Sequence, residues 1–219
     1  MRKVWADYLQ PNGTLKNRLG ITEAATLQKN EYKVSTQRQQ QLSRNHYLLP
    51  DSHQLTGRQI GELKLINGFL LGEIYDWAGH YREVDFNKTA NGVVTFFHPV
   101  ALFGNAEIDI QRQLDNFALL PDDREQVAQA LGQVVTEINM FHPFREGNGR
   151  TTRLFTEVLA WQHGFDINYT QAQQDAYMQA SIQDDGTGVP GSTNQIDQLL
   201  LVVILRMVLK GSMIFSVDG

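Results

Sequence analysis

His142-Pro143-Phe144-Arg145-Glu146-Gly147-Asn148-Gly149-Arg150-Thr151-Thr152-Arg153 lies between two stretches of helical patterning, and this junction decides how the chain is read. Upstream, Val127 to Met140 (VAQALGQVVTEINM) places apolar residues at helical spacing among good helix formers. That helix is predicted to run into Phe141 and stop near Pro143, because proline lacks an N–H and restricts the residue before it. Downstream, Thr151 to His163 reads as a second helix ended by Gly164. Between them, Glu146-Gly147-Asn148-Gly149 supplies glycines that permit positive φ and close backbone approach. Free N–H groups at a helix start bind anions, helped by the helix dipole. The segment is therefore a helix, an anion-binding loop and a helix.

The side chains fit that loop. Arg150 and Arg153 are three apart and share one helix face in its first turn. Cations there oppose the helix dipole unless an external polyanion sits at that end. Glu146 is a hard oxygen ligand at the loop, of the kind magnesium uses together with phosphates. His142 closes the first helix, and an imidazole with an ordinary pKa of about 6.5 suits general base work. Phe144 is expected to point into the core. Taken singly these features are bland: a turn, a solvated pair of arginines, a structural histidine. It is their joint spacing between two helices that points to nucleotide chemistry.

The twelve residues match the pattern His-x-Phe-x-Asp/Glu-Gly-Asn-Gly-Arg-x-x-Arg, and the chain on this basis resembles the Fic family, most of whose members transfer AMP. The resemblance extends to Asn12-Gly13-Thr14-Leu15-Lys16-Asn17-Arg18-Leu19-Gly20-Ile21 and to Ile74-Tyr75-Asp76-Trp77-Ala78-Gly79-His80-Tyr81-Arg82. It covers about Tyr8 to Asn168. Phe96-Phe97-His98-Pro99 departs from the family, which more often has a single aromatic before a small residue and proline.

The fold expected is all-α, a helical bundle with a small β-hairpin flap. Helical patterns cover Glu23 to Leu48 with Thr22 as N-cap, Thr56 to Tyr75, Pro99 to Phe117, Asp122 to Met140, Gln171 to Gln183 and Ile196 to Lys210. The exception is Val84 to Phe97, where Asn91-Gly92 is a hairpin turn signal and Val93, Val94, Thr95 and Phe96 favour strand. A hairpin on a helical protein is either a packing excursion or a docking edge. The resemblance implies the second, a flap on which Lys88, Thr89, Val93, Val94, Thr95 and Phe96 register a target segment by main-chain hydrogen bonds.

Composition narrows the field. With 219 residues and 42% hydrophobic content, one domain over residues 1–219 can bury a core. A net charge of −5 with dispersed lysine and arginine argues against a general nucleic-acid binder. The absence of cysteine excludes disulfides and thiolate chemistry and fits a reducing cytoplasm, while the resemblance implies a bacterial protein, cytoplasmic or delivered to another cell. The most apolar run, Ile196 to Met213, is broken by Asp197, Gln198, Arg206 and Lys210, and reads as a core helix rather than a membrane span.

The resemblance implies a mechanism. ATP is held with its phosphates over Gly147, Asn148 and Gly149, Asn148 at the α-phosphate and Arg150 and Arg153 at the β- and γ-phosphates. Glu146 ligates Mg2+, and His142 deprotonates a Tyr, Thr or Ser hydroxyl of a target protein on the flap. Relatives that act like kinases have lysine where this chain has Gly149, so glycine implies AMP transfer. Other relatives use UTP, GTP or CDP-choline. Many relatives are restrained by a Ser/Thr-x-x-x-Glu-Gly/Asn helix whose glutamate pairs with the second motif arginine, here Arg153. No glutamate in this chain has Ser or Thr four residues before it. The resemblance then implies a separate small antitoxin, and a topoisomerase subunit as one target class. The competing readings are a catalytically silent binding module, an AMP-removing hydrolase and an all-α DNA-binding regulator.

Overall fold

The computed structural model describes residues 4–90, 93–167 and 208–209. Five α-helices dominate: α1 (Ala24–Arg44), α2 (Glu62–Leu71), α3 (Phe103–Phe117), α4 (Arg124–Phe141) and α5 (Asn148–Gln162). Strands β1 (Asn87–Ala90) and β2 (Val93–Phe96) pair antiparallel with Asn87 opposite Phe96 and Ala90 opposite Val93. The fold is therefore the expected helical bundle carrying one hairpin.

The apolar stripes meet where helical spacing places them. Helix α5 packs on both α2 and α4, α3 lies on α4, and α1 lies on α2. Leu63, Ile66 and Leu70 of α2 face Leu154, Phe155 and Val158 of α5 in one core, with Leu131, Val135 and Ile138 of α4 completing it. All nine are buried to 2% exposure or less, so α5 is wedged on two sides and its first turn has little freedom to move.

The two flanking stretches singled out in the sequence meet in space. Arg18 donates from its main chain to Ile74 O, from Nη1 to Gly72 O and from Nε to Asp76 Oδ1 at 2.6 Å. Asn17 receives the amides of Leu19 and Ile21, which holds this segment in a tight turn. Among the described residues no helix is long and apolar enough to cross a membrane.

Three boundaries differ from expectation. Thr22 does not cap α1; its carbonyl accepts hydrogen bonds from Asn12 and Thr14 of the N-terminal turn, and Glu23 occupies the cap position. Helix α2 starts only at Glu62, because Glu62 folds back to accept the amides of Thr56 and Gly57. Helix α5 starts at Asn148, three residues before Thr151, for reasons that belong to the site. The helices expected at 171–183 and 196–210 lie outside the described residues, save Val208–Leu209. That pair is not helical: it forms strand β4 against β3 (Phe165–Asp166), where a β-branched residue fits an extended pairing.

Candidate active site

The site starts where α4 ends. His142 takes a left-handed conformation (φ 42°), which stops the helix and turns the chain toward Pro143. Phe144 then drops into the core, as expected, at 1% exposure. Gly147 has φ 79° and caps α5. A β-carbon there would lie 2.4 Å from Leu71 Cδ1 and 3.2 Å from Asn67 Nδ2, so only glycine fits. The loop is further fixed by Asn148, whose side chain accepts from Phe144 N and donates to Phe144 O, at 2.9 and 2.8 Å. This closed amide ring starts α5 at Asn148. It also holds the Asn148 side chain on the Phe144 main chain, with one of its two amide hydrogens engaged there.

Helical bonding in α5 begins with Thr151 N–H to Gly147 O. The amides of Asn148, Gly149 and Arg150 precede that bond and form the dipole-positive end of the helix. Among the described residues a β-carbon on Gly149 would meet nothing within 4 Å, so this position itself is open. Glu146 overhangs it with 37% of its side chain exposed, its Oε1 accepting the Gly147 amide at 3.0 Å.

The imidazole of His142 is buried beneath an aromatic cover. Phe97 stacks on it at 3.8 Å between centroids, Phe86 approaches edge-on at 5.7 Å, and Trp5 lies against Phe86 at 5.1 Å. One ring nitrogen bonds the Asn139 main chain, while the buried Nε2 has no partner among the described residues. That assignment makes Nδ1 the donor and Nε2 a bare acceptor. Burial holds the imidazole's pKa well below its ordinary value, and the nearby Lys88 and Arg82 cations push it further down. At neutral pH the ring is uncharged, the form a general base requires.

Cations gather around the same point. Lys88 of β1 lies near Phe97, and burial, opposed by the Glu146 charge, lowers its pKa. The Arg145 guanidinium rests 3.8 Å over the Trp5 ring, and its Nε is buried without a partner. Arg153 also has a buried, unpartnered Nε. Arg150 is differently placed. It reaches back to α1, where Glu31 and Ser35 receive it, with Glu146 Oε1 at 3.5 Å on its other side. Tyr75 donates to the second oxygen of Glu31. A carboxylate of this chain thus sits on the first motif arginine.

Sequence reading missed several contributors. Asn67 is fully buried; its amide donates to Glu146 O and Thr151 Oγ1 and its oxygen accepts from Gly79 N. An asparagine beside the apolar stripe of α2 was the available signal. Glu31, on a polar helix far away in sequence, gave none. The flap residues stand where expected: Val94 and Phe96 project outward at 41% and 59% exposure, and Lys88 pairs across to Thr95. The side chains of Thr89 and Val93, and the Asn91-Gly92 turn, lie outside the described residues.

The β1–β2 hairpin, His142 and the glycine loop that caps α5 lie within residues 59–160, which match the Fic/DOC family. Two relatives are "Protein adenylyltransferase VbhT" of Bartonella schoenbuchensis, 31% identical over 80% of this chain, and "Probable protein adenylyltransferase Fic" of Escherichia coli, 27% identical over 80%. The chain spans 35% of the length of the first and 82% of the second. Among solved structures, the BepC protein of Bartonella tribocorum with bound AMPPNP superposes with a TM-score of 0.74 at 20% identity, covering 94% of this chain and 98% of that one. At that identity the likeness concerns the fold.

Proposed function

We propose that this chain transfers AMP from ATP to a hydroxyl of a protein segment held on the flap. The observation that carries the proposal is the imidazole: burial and nearby cations keep His142 neutral, one ring nitrogen bonds the Asn139 main chain, and among the described residues Nε2 has no partner. A purely structural buried histidine is expected to have both nitrogens satisfied. The relatives named as protein adenylyltransferases support the same reading.

The chemistry follows from the residues. The α5 amides and the guanidinium groups of Arg145 and Arg153 offer donors to the phosphates, and the orphaned Nε atoms of both arginines fit an anion. The target hydroxyl oxygen forms a bond to the α-phosphorus while its proton passes to His142 Nε2. The α–β bridging P–O bond breaks and pyrophosphate leaves. Arg153 offsets the charge that develops on it. Arg150 is committed to Glu31 and Glu146, so its charge acts on the phosphates only as part of that cluster.

Among the described residues no group of three acidic, histidine or cysteine side chains is placed to hold a metal by itself. The single half-exposed carboxylate of Glu146 fits Mg2+, which characteristically takes one carboxylate and completes its shell with phosphates and water. Bound at Glu146, the ion would supply neutralisation of phosphate charge. We further infer a cytoplasmic protein restrained by a separate antitoxin, since no glutamate of the chain has the inhibitory spacing.

The test is incubation with Mg2+ and α-labelled ATP in bacterial lysate beside His142→Ala. Label on discrete bands, lost in the variant, is the expected result. Signal from γ-labelled ATP alone overturns AMP transfer in favour of phosphoryl transfer. Label from α-labelled UTP or GTP but not ATP keeps the chemistry and changes the nucleotide. No transfer from any nucleotide leaves a binding module.

A further inference from the structure

Arg82 lies between the Tyr75–Gly79 stretch and the flap, and is 2% exposed. Its guanidinium is spread over three main-chain carbonyls from three separate segments. Nε donates to His142 O at 3.0 Å, Nη1 to Val84 O at 2.8 Å and Nη2 to His98 O at 2.5 Å. Val84 is at the foot where the chain enters the flap, and His98 is at the foot where it leaves. The main chain repeats the stitching: Arg82 N–H donates to Pro143 O at 2.7 Å, and His98 N–H to Met140 O at 2.9 Å. Above and below, the guanidinium meets the rings of Phe86 and Phe103, 5.2 and 4.8 Å from their centroids. Asp85 is the nearby carboxylate, at 3.5 Å from Nη1, with 55% of its side chain exposed and its Oδ1 also accepting Val100 N.

A cation so deeply placed, with one distant and exposed counter-ion, is expensive to desolvate. Apolar packing alone is served better by leucine or methionine. What a guanidinium adds is a rigid planar fork whose donors point in three directions at once. Here those directions are the two feet of the flap and the carbonyl of the residue that bears the base. No other side chain spans all three, and lysine, with its donors on one nitrogen, cannot.

We propose that Arg82 is a positioning residue that sets the register between flap and base. It fixes how far a strand docked on β1–β2 lies from His142, and so where the target hydroxyl stands relative to Nε2. The hairpin pairs only with itself among the described residues, so its own ladder does not supply that distance. In its catalytic consequence this rests on the AMP-transfer reading; the mechanical coupling does not.

The experiment uses the purified full chain with Arg82→Lys and Arg82→Met, and the lysine variant carries the test if the methionine variant fails to fold. Hydrogen exchange is followed over three segments: 84–99, 138–146 and 151–162. Exchange is expected to rise together in the first two, by about tenfold for one lost charge-assisted bond, and to stay unchanged in the third. Mg-ATP affinity is expected to stay at the wild-type value. Label transfer from saturating α-labelled ATP into lysate proteins is expected to fall about 10²-fold, the effect of a displacement near 1 Å at the reacting atoms. Faster exchange in the flap with none at 138–146 overturns the proposal. So does a transfer loss that merely tracks folded fraction or nucleotide affinity, or no loss at all. If the wild-type chain transfers nothing from any nucleotide, the AMP-transfer reading fails by itself, and the exchange data alone decide whether Arg82 couples the two segments.

Discussion

The phosphate loop and the flap face each other across one imidazole, yet they are held in opposite ways. The loop is fixed from beneath by buried groups: Leu71 against Gly147, Asn67 on Glu146 O, and the Asn148 amide closed on Phe144. Among the described residues the flap pairs only with itself; it exposes Val94 and Phe96 and is anchored at its feet by the Arg82 fork. A phosphate has one shape and rewards a rigid cradle. A protein segment varies, and main-chain pairing on an exposed ribbon accepts many sequences in one register. On the proposed reading, the chemistry is built into the core and the choice of target into the surface.

The contrast can be broken in several places. The largest expected effect is on transfer itself. His142→Ala removes the base and should lower label transfer by about 10²–10⁴-fold without unfolding the protein, since a general base contributes that much. Circular dichroism beside the transfer assay checks both halves.

Next is the floor of the loop. Gly147→Ala combines a positive φ with a β-carbon 2.4 Å from Leu71 Cδ1, and should cost about 3 kcal/mol in denaturant unfolding, from backbone strain plus overpacking. An unchanged midpoint would mean that the loop is as adaptable as the flap, and the contrast would be lost.

Below Arg153, burial pushes the Glu157 carboxyl up to about 7, against the opposing pull of Gln39, Ser43 and Arg153. Its folded pKa exceeds its unfolded value of about 4.5, so its stabilising contribution is present at low pH and is lost as pH rises through 7. Glu157→Gln should therefore gain stability relative to wild type between pH 5 and 8, on the order of 1–2 kcal/mol, read from paired thermal melts.

The flap reaches the chemistry through its cover on the base. With Phe97→Ala the imidazole is opened to water, and its pKa should climb back toward 6.5 even though Lys88 and Arg82 still oppose charging. Imidazole NMR shifts followed over pH report it; no movement would assign the depression to the cations rather than to the aromatic lid. The smallest expected effect is on stability at the flap surface: Val94→Ser and Phe96→Ser should change it by less than about 0.5 kcal/mol while altering which lysate proteins take label.

Much of this was legible in the chain. The helix–loop–helix around Glu146-Gly147-Asn148-Gly149 follows from two apolar periodicities, a proline and two glycines. The hairpin followed from a run of β-branched residues after Asn91-Gly92. What escaped was long-range. Thr22 looked like a cap because local chemistry favours it, yet its carbonyl is taken by the N-terminal turn. The closure of the Asn148 amide on the Phe144 main chain was not readable from the spacing. Glu31 and Ser35 are more than a hundred residues from the arginine they hold, and no spacing rule connects them.

The sequence by itself determined which segments are helix or hairpin and where the glycine loop lies between two helices, because spacing along a chain fixes faces and turns. Only the tertiary structure decided the state of individual side chains: that His142 is neutral under Phe97, that Arg150 is paired to α1, and that Arg82 ties flap to base. Protonation and register depend on what lies a few ångströms away in space, and the neighbours that set them come from segments that the chain order keeps far apart.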